Sequence, residues 1–349
     1  MDDRFDDVIE KPTVAQTSAA AAMTRIGLDV GTSKIVRARG DAGHSDINEQ
    51  LNAFFTVPYS ALTQTTLKQN SVPHYRDGDQ LVVCGGAAEK FAHMFNAETR
   101  RPMAKGVLNP NEPSAVGVLE AIMGMLIPQA KQPGEVMAFS VPAAGADINA
   151  EVTYHEGILK NYLRGKGYTP LAVNEGLAVV LAELAEESFT GIGISCGGGM
   201  CNVALSYLSI PSITFSLAQG GDYIDAAVGS VVNEPATRVK AIKEEGLDLS
   251  KSAADKVTKA LQIYYNKLIE TLVDELISAL RRSQKNPRAQ FELPLVLAGG
   301  TSMPRGFRDR FDKVLRSRTL PFAIGEVRMA SNPLTTTARG TLVAALAEK

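Results

Sequence analysis

The sequence predicts an α/β protein made of two related lobes, each a mixed sheet flanked by helices, with a cleft between them. Three observations carry this reading. Residues Arg25–Ala38 (RIGLDVGTSKIVRA) and Gly191–Leu205 (GIGISCGGGMCNVAL) follow one plan: an apolar strand, a turn of small residues and a second alternating strand. Laid on one another, they put Asp29 on Ser195, Gly31 on Gly197, Val36 on Asn202 and Ala38 on Ala204, nearly half of the 349-residue chain apart. Next, the apolar run Val136–Pro142, a helix from about Ile148 to Lys166 and the strand Pro170–Val173 make a parallel strand–helix–strand crossover. Finally, Leu293–Gly300 (LPLVLAGG) is a buried strand running into a glycine turn.

In chain order, residues 1–23 carry Asp, Thr, Ser and Ala without a sustained apolar period, and are expected to form a disordered tail. The first lobe is expected over residues 24–171. It opens on the Asp29 hairpin. Short strand-like pieces, Phe54–Pro58 and Gln80–Cys84, separated by turn formers, then follow and read equally as a surface lobe. From Pro113 a helix runs through about Ile127, apolar at Val116, Leu119, Ile122, Met123 and Leu126. The second lobe is expected over residues 172–349. Its clearest element is a helix from Ser252 to about Arg282. There Val257, Leu261, Tyr264, Leu268, Leu272, Leu276 and Leu280 form one stripe beside Ile269, Val273 and Ile277, a width that suits core packing. Pro287 ends that segment. Met303 is expected to begin the next helix with Pro304 in its first turn, and a last helix spans about Thr335 to Lys349.

The two small-residue turns have a physical use. Backbone without a Cβ approaches a phosphate closely and offers N–H donors, which singles out Gly31, Gly197, Gly198 and Gly199, with the Thr32 and Ser33 hydroxyls beside them. Two such turns facing each other hold a triphosphate from both sides. The carboxylate of Asp29 repels phosphate unless a hard cation such as Mg²⁺, keeping several waters, stands between them. One hairpin of this kind is equally an ordinary tight turn. The repeat at half-chain spacing, with a third glycine pair at Gly299 and Gly300, points to a nucleotide.

On these residues the chain resembles the actin and heat-shock-chaperone ATPase superfamily, and within it the bacterial actins of the MreB and MamK group. Asp29–Ser33 (DVGTS) is similar to the family's first phosphate motif, Cys196–Gly199 (CGGG) to part of the second, and Leu297–Ser302 (LAGGTS) to its adenosine motif. Val173–Ala178 (VNEGLA) resembles the first connecting segment and Pro333–Gly340 (PLTTTARG) the second. Arg101–Leu108 (RPMAKGVL) is similar to the segment by which bacterial actins return to the main subdomain, and Gly220–Asp225 (GGDYID) to the turn into the second outer subdomain.

The resemblance implies a duplicated actin-like ATPase fold with outer subdomains at about 45–100 and about 220–288, and with ATP or ADP and Mg²⁺ in the central cleft. It implies Asp29 as the metal-positioning residue, through water, and Glu175 as the residue orienting the attacking water. Gly31, Thr32, Ser33, Lys34, Ser195 and Gly197 to Gly199 would bind phosphates, and Gly221, Lys243, Glu244, Gly299, Gly300 and Thr301 the rest of the nucleotide. Glu175 also reads as a first-turn glutamate favoured by the helix dipole, and Val239–Glu245 (VKAIKEE) as a solvated helix face.

Three departures matter. Gly176 follows Glu175 where relatives commonly carry Pro, Ser195 stands in place of Asp, and Met200 in place of Thr. Ser can hydrogen-bond a metal-bound water but brings no negative charge. Losing one oriented group commonly lowers a rate on the order of 10²-fold. ATP is therefore expected to bind and to be hydrolysed slowly. The resemblance further implies head-to-tail self-assembly into filaments, with an unidentified cargo or adaptor protein. The alternative is a non-polymerising nucleotide-binding adaptor of the PilM or FtsA kind. A sugar kinase would need an Asp or Arg substrate constellation that the sequence does not display, and a peptide-binding chaperone a substrate domain.

Composition narrows the partners. A net charge of −2 offers no basic surface for nucleic acid or anionic lipid. No run reaches the roughly 18 apolar residues of a membrane span, and the acidic start MDDRFDDVIEK is unlike a signal peptide. Cys84, Cys196 and Cys201 lack CxxC spacing and the four ligands of a zinc site, and suit a reducing, cytoplasmic location.

Overall fold

Alternating small and apolar residues in Arg25–Val30 and Lys34–Gly40 form the antiparallel strands β1 and β2, and Ser45–Leu51 adds β3 beside them. In this computed structural model the described residues are 25–41, 44–95, 97, 99–143, 149–283 and 292–348; the tail expected over 1–23 and the helix stop at Pro287 lie outside them. Strand β4 (Phe54–Pro58), helix α1 (Ala61–Gln69), β5 (His74–Asp77), β6 (Gln80–Cys84) and α2 (Gly86–Met94) build a small outer sheet in the order β4-β6-β5. A short hairpin, β7 (Met103–Ala104) and β8 (Val107–Leu108), leads back to α3 (Ala115–Leu126), β9 (Glu135–Val141), α4 (Asn149–Gly165) and β10 (Tyr168–Asn174). Strands β9 and β10 join β1 in parallel and complete a five-stranded sheet, β10-β9-β1-β2-β3.

Helix α5 (Glu175–Glu183) leads into β11 (Gly191–Cys196), β12 (Cys201–Tyr207) and β13 (Ile210–Leu217). Three helices follow, α6 (Gly221–Val232), α7 (Ala236–Gly246) and α8 (Lys256–Arg282). The chain then runs through β14 (Leu293–Ala298), a single 3-10 turn, α9 (Phe307–Arg316), β15 (Ile324–Met329) and α10 (Thr336–Ala347). The second sheet, β13-β12-β11-β14-β15, repeats the first strand for strand, with the same mixture of antiparallel and parallel pairs. Even the hairpin registers coincide: Asp29 faces Val36 and Ser195 faces Asn202. One backbone bond closes each turn, Gly31 N to Lys34 O at 3.0 Å and Gly197 N to Met200 O at 2.8 Å.

Helices α5 and α10 form the layer between the sheets. Val179, Val180 and Leu184 of α5 pack on Val296 and Ala298 of the second sheet, while Ala178 and Leu181 meet Ala138 and Val173 of the first. Ala338 and Leu342 of α10 lie on Val36 and Ala38. The contact is at backbone level: a Cβ on Gly27 would fall 2.1 Å from Leu342 N, and one on Gly340 1.8 Å from Ala178 O. Glu183 ties the layer down at one end, accepting from Ser331 N at 3.0 Å and Ser331 Oγ at 2.8 Å, and pairing with Arg328 at 3.4 Å.

Several sequence expectations shift. Strand β10 runs through Asn174, so the expected lobe boundary after residue 171 falls inside it, and β3 belongs to the main sheet. Although α10 falls in the expected second half, it covers the first sheet. Helix α8 begins at Lys256, not Ser252, because Asp255 Oδ1 accepts from Val257 N at 2.8 Å and Thr258 N at 2.9 Å and so caps it. Its buried stripe passes through Tyr265 rather than Tyr264. Pro304 precedes α9 instead of opening it, since Gly306, at φ +83°, re-aims the chain before Phe307.

Candidate functional site

The matching turns of the two sheets face each other across a cavity of about 810 Å³ at the carboxyl ends of β1, β11 and β14. Its lining includes Asp29, Gly31, Thr32, Ser33 and Lys34 from the first turn, and Ser195, Gly197, Gly198 and Gly199 from the second. Glu175, Gly221, Lys243, Glu244, Gly299, Gly300 and Thr301 complete the set, so every residue singled out in the sequence borders this one space.

The turns are packed together. Thr32 Oγ1 accepts from Gly106 N at 3.0 Å, and a Cβ on Gly199 would lie 2.4 Å from that hydroxyl oxygen. Carbonyl groups of the second turn are tied back: Gly197 O accepts from Gly221 N at 3.1 Å and Thr301 Oγ1 at 2.8 Å, and Gly198 O from Asp222 N at 2.9 Å. By contrast, the N–H groups of Thr32, Ser33, Gly198 and Gly199 donate to no backbone acceptor among the described residues. Unclaimed N–H groups of successive turn residues are the chemistry of an anion-binding concavity.

Below the turns sit two carboxyl groups. Ser140 Oγ donates to Asp29 Oδ1 at 2.9 Å and accepts from Val30 N at 3.0 Å, fixing the acid on β1. Glu175 is the first residue of α5, after Asn174, whose side chain caps the helix by accepting from Leu177 N at 3.1 Å. Ser195 Oγ donates to Glu175 Oε2 at 3.3 Å. Burial pushes Asp29 up to about 6, with the Ser140 hydrogen bond opposing. Burial, and then the neighbouring Asp29 charge, push Glu175 up to about 8 against hydrogen bonds from Ser195 and Asn202.

Both carboxyls are raised first by burial, and the Asp29 charge adds to the shift of Glu175. Among the described residues no three acidic, His or Cys side chains form a ready metal cage. Asp29 and Glu175 are the two carboxylates at the site, and a hard cation held by one or two carboxylates takes its other ligands from water and phosphate oxygens. Cys196 and Cys201 are buried free thiols, cross-strand partners beneath the second turn.

Two expected ligand contacts are already engaged. The ammonium of Lys34 pairs with Glu49 at 2.6 Å. That of Lys243 is buried against Asp225 Oδ2 at 2.7 Å and also donates to Gly221 O at 3.3 Å. Both residues border the cavity, but their charge is spent on protein carboxylates. Glu244 is exposed, in loose contact with Lys240 at 3.9 Å. The turn after β14 is pressed onto the second hairpin: Gly299 has φ +89°, and a Cβ there would lie 2.3 Å from Cys196 O.

The family model described as Volactin matches residues 23–345. The chain belongs to the Volactin family. No curated protein matches this volactin-family chain by sequence. Solved structures do match it. The MamK double helical filament is 19% identical, covers 92% of this chain and 98% of its own, and superimposes with a TM-score of 0.70. MreB5 of Spiroplasma citri bound to ADP is 15% identical, covers 91% and 94%, and scores 0.63. The ethanolamine utilization protein EutJ from Carboxydothermus hydrogenoformans is 16% identical, covers 93% and 91%, and scores 0.53. The volactin-family chain thus has the duplicated actin-like ATPase fold.

Four residues of this volactin-family site escaped sequence reading. Ser140 carried a signal, as a polar residue inside the apolar run of β9. Arg101, Asp222 and Asp225 lie inside quoted motifs, yet only the folded chain brings Arg101 to Asp222 and Asp225 to Lys243.

Proposed function

We propose that this chain binds a nucleoside triphosphate with Mg²⁺ in the cleft, hydrolyses it slowly, and assembles head to tail with copies of itself. The observation that carries the nucleotide reading is the pair of turns whose four N–H groups have no backbone acceptor among the described residues, lining one cavity with Asp29 and Glu175. The N–H groups of Thr32, Ser33, Gly198 and Gly199 would hold phosphate oxygens. Asp29, fixed by Ser140, would hold the metal through water, and the ion when bound supplies charge neutralisation at the phosphates. Glu175 would orient the attacking water.

Cavity size agrees, since small-molecule sites run to roughly 300–1,000 Å³. Met303 and Leu334, half exposed, offer apolar walls beside Gly300 that suit a flat base, and adenine is the base we assign. Buried Asp225 Oδ1 and Tyr265 Oη have no partner among the described residues, on side chains that border the cavity. With Ser195 in place of an acid, the attacking water lacks a second negative charge, hence slow turnover.

Likeness to the MamK filament supports the assembly reading. At a net charge of −2 the filament would reach its cargo through a protein adaptor rather than nucleic acid or anionic lipid, in a reducing cytoplasm that suits three free cysteines. The test is sedimentation of purified protein with MgATP, MgADP or neither, with phosphate release read in the same tubes. ATP-dependent pelleting with little phosphate is expected. Protein that binds ATP tightly yet stays in the supernatant at every concentration would replace the filament with a soluble adaptor.

A further inference from the structure

Beside the cavity, the residues around the β7–β8 hairpin join the two lobes. Arg101 Nη1 lies 3.0 Å from each carboxylate oxygen of Asp222 and 3.3 Å from Ser33 Oγ. Asp222, in the first turn of α6, donates its N–H to Gly198 O at 2.9 Å. A Cβ on Gly198 would fall 2.5 Å from Ser33 Oγ and 3.4 Å from Asp222 Oδ2. Ser33, Arg101, Asp222 and Gly198 therefore form a closed ring through both phosphate-facing turns. Further along the hairpin, Gly106 donates to Thr32 and leaves no space for a Cβ, which would lie 2.7 Å from Met200 Sδ.

Each side of the ring is anchored in a different core. Met103 and Leu108 hold the hairpin in the first lobe, and Ile224 and Val228 hold α6 in the second. Separating the turns, as a bulky ligand entering or leaving requires, must break the ion pair. Arg101 does not border the cavity, so it acts through Ser33 and Asp222 as a positioning residue. The pair is also openable: side-chain exposures of 25% and 36% keep it in reach of water and salt.

We propose that Arg101 and Asp222 form a latch across the two phosphate-facing turns that sets how fast nucleotide exchanges. This rests on the nucleotide reading above. Because entry and exit need the same opening, loss of the latch speeds both, and the dissociation rate moves more than the affinity.

The test chases a fluorescent ATP analogue with excess ATP by stopped flow in the wild type, Arg101→Ala, Asp222→Ala and the reversed pair Arg101→Asp/Asp222→Arg. Dissociation should quicken about two- to fivefold in each single variant and return toward wild type in the reversed pair. High salt should speed the wild type and leave Arg101→Ala unmoved. In parallel, hydrogen exchange of residues 103–108 and 197–201 is followed without nucleotide. It should accelerate in the single variants and slow again in the reversed pair. Wild-type rates of nucleotide and hydrogen exchange in both single variants would overturn the latch. If the wild type binds no nucleotide, the functional reading fails, and hydrogen exchange alone decides the latch.

Discussion

The Ser195 hydroxyl donates to Glu175 Oε2 across 3.3 Å, so the second hairpin contributes a hydrogen bond where its partner hairpin contributes the carboxylate of Asp29. The two halves have the same backbone and unequal charge. Restoring symmetry with Ser195→Asp should raise MgATP hydrolysis on the order of 10- to 100-fold. The same change should lower the melting temperature without metal, because a third carboxylate joins a crowded pair. Phosphate release over a Mg²⁺ titration checks the first, and a thermal melt in metal-free buffer the second. An unchanged rate at saturating Mg²⁺ would mean that the missing charge is not what limits turnover.

The carboxyl pair also makes a pH prediction. Asp29 is raised from 3.8 to about 6 and Glu175 from 4.5 to about 8, so the unfolded chain releases these protons first. Their stabilising contribution is complete below about pH 4 and is lost as pH rises through 6 and then 8. His155 works oppositely: burial lowers it from 6.5 to about 4, so its contribution is present above pH 6.5 and lost as pH falls through 4. Between pH 6.5 and 8 the carboxyls alone set the slope among these three groups. The nucleotide-free protein should melt at falling temperature over that window, and Glu175→Gln should flatten the curve.

Gly199→Ala tests the closeness of the turns. Its Cβ would meet Thr32 Oγ1 at 2.4 Å and Gly106 N at 2.5 Å, so the substitution must spread the cleft. Nucleotide affinity should drop at least tenfold and stability fall by about 1–3 kcal/mol. Gly157→Ala in α4 is the matched control. Nothing lies within 4 Å of its added methyl, and it should stabilise by about 0.5–1 kcal/mol.

Lys243→Met separates architecture from ligand binding. It strands the buried Asp225 carboxylate and should destabilise by about 3–5 kcal/mol in denaturant titrations. Removing both charges, as Lys243→Met/Asp225→Leu, should recover most of that loss. If the double variant recovers stability and binds nucleotide as tightly as wild type, Lys243 is a structural residue of the cleft wall.

How much of this was legible in the sequence follows from where each signal is stored. The hairpin repeat was written in adjacent residues, because a strand, a turn and a strand have local periodicity. Hence Asp29 and Ser195 were aligned with their cross-strand partners in the register that the folded chain has. The turn residues that line the cavity were legible for the same reason, as turns built from small residues. The partners of Lys34 and Lys243 were not, since Glu49 and Asp225 reach them only through sheet pairing and helix packing. Ser140 finds Asp29 from 111 positions away, a relation that no spacing rule encodes. The start of α9 was missed because Pro304 favours a helix opening, and the left-handed Gly306 overrode it.

The seating of α10 on β1 bears on how the chain is made. Gly27 admits Leu342 at backbone contact, so the inner face of the first sheet is covered by residues synthesised more than 300 positions later. During translation that face, with Val36 and Ala38 on it, stays open while the whole second lobe is still being produced. Contacts of such long sequence separation slow folding and lengthen the exposure of apolar strands. The price of an interlocked hinge is a nascent chain that needs shielding until residue 336 and its helix have left the ribosome, and in cells lacking holdase chaperones the newly made protein should aggregate first through its amino-terminal sheet.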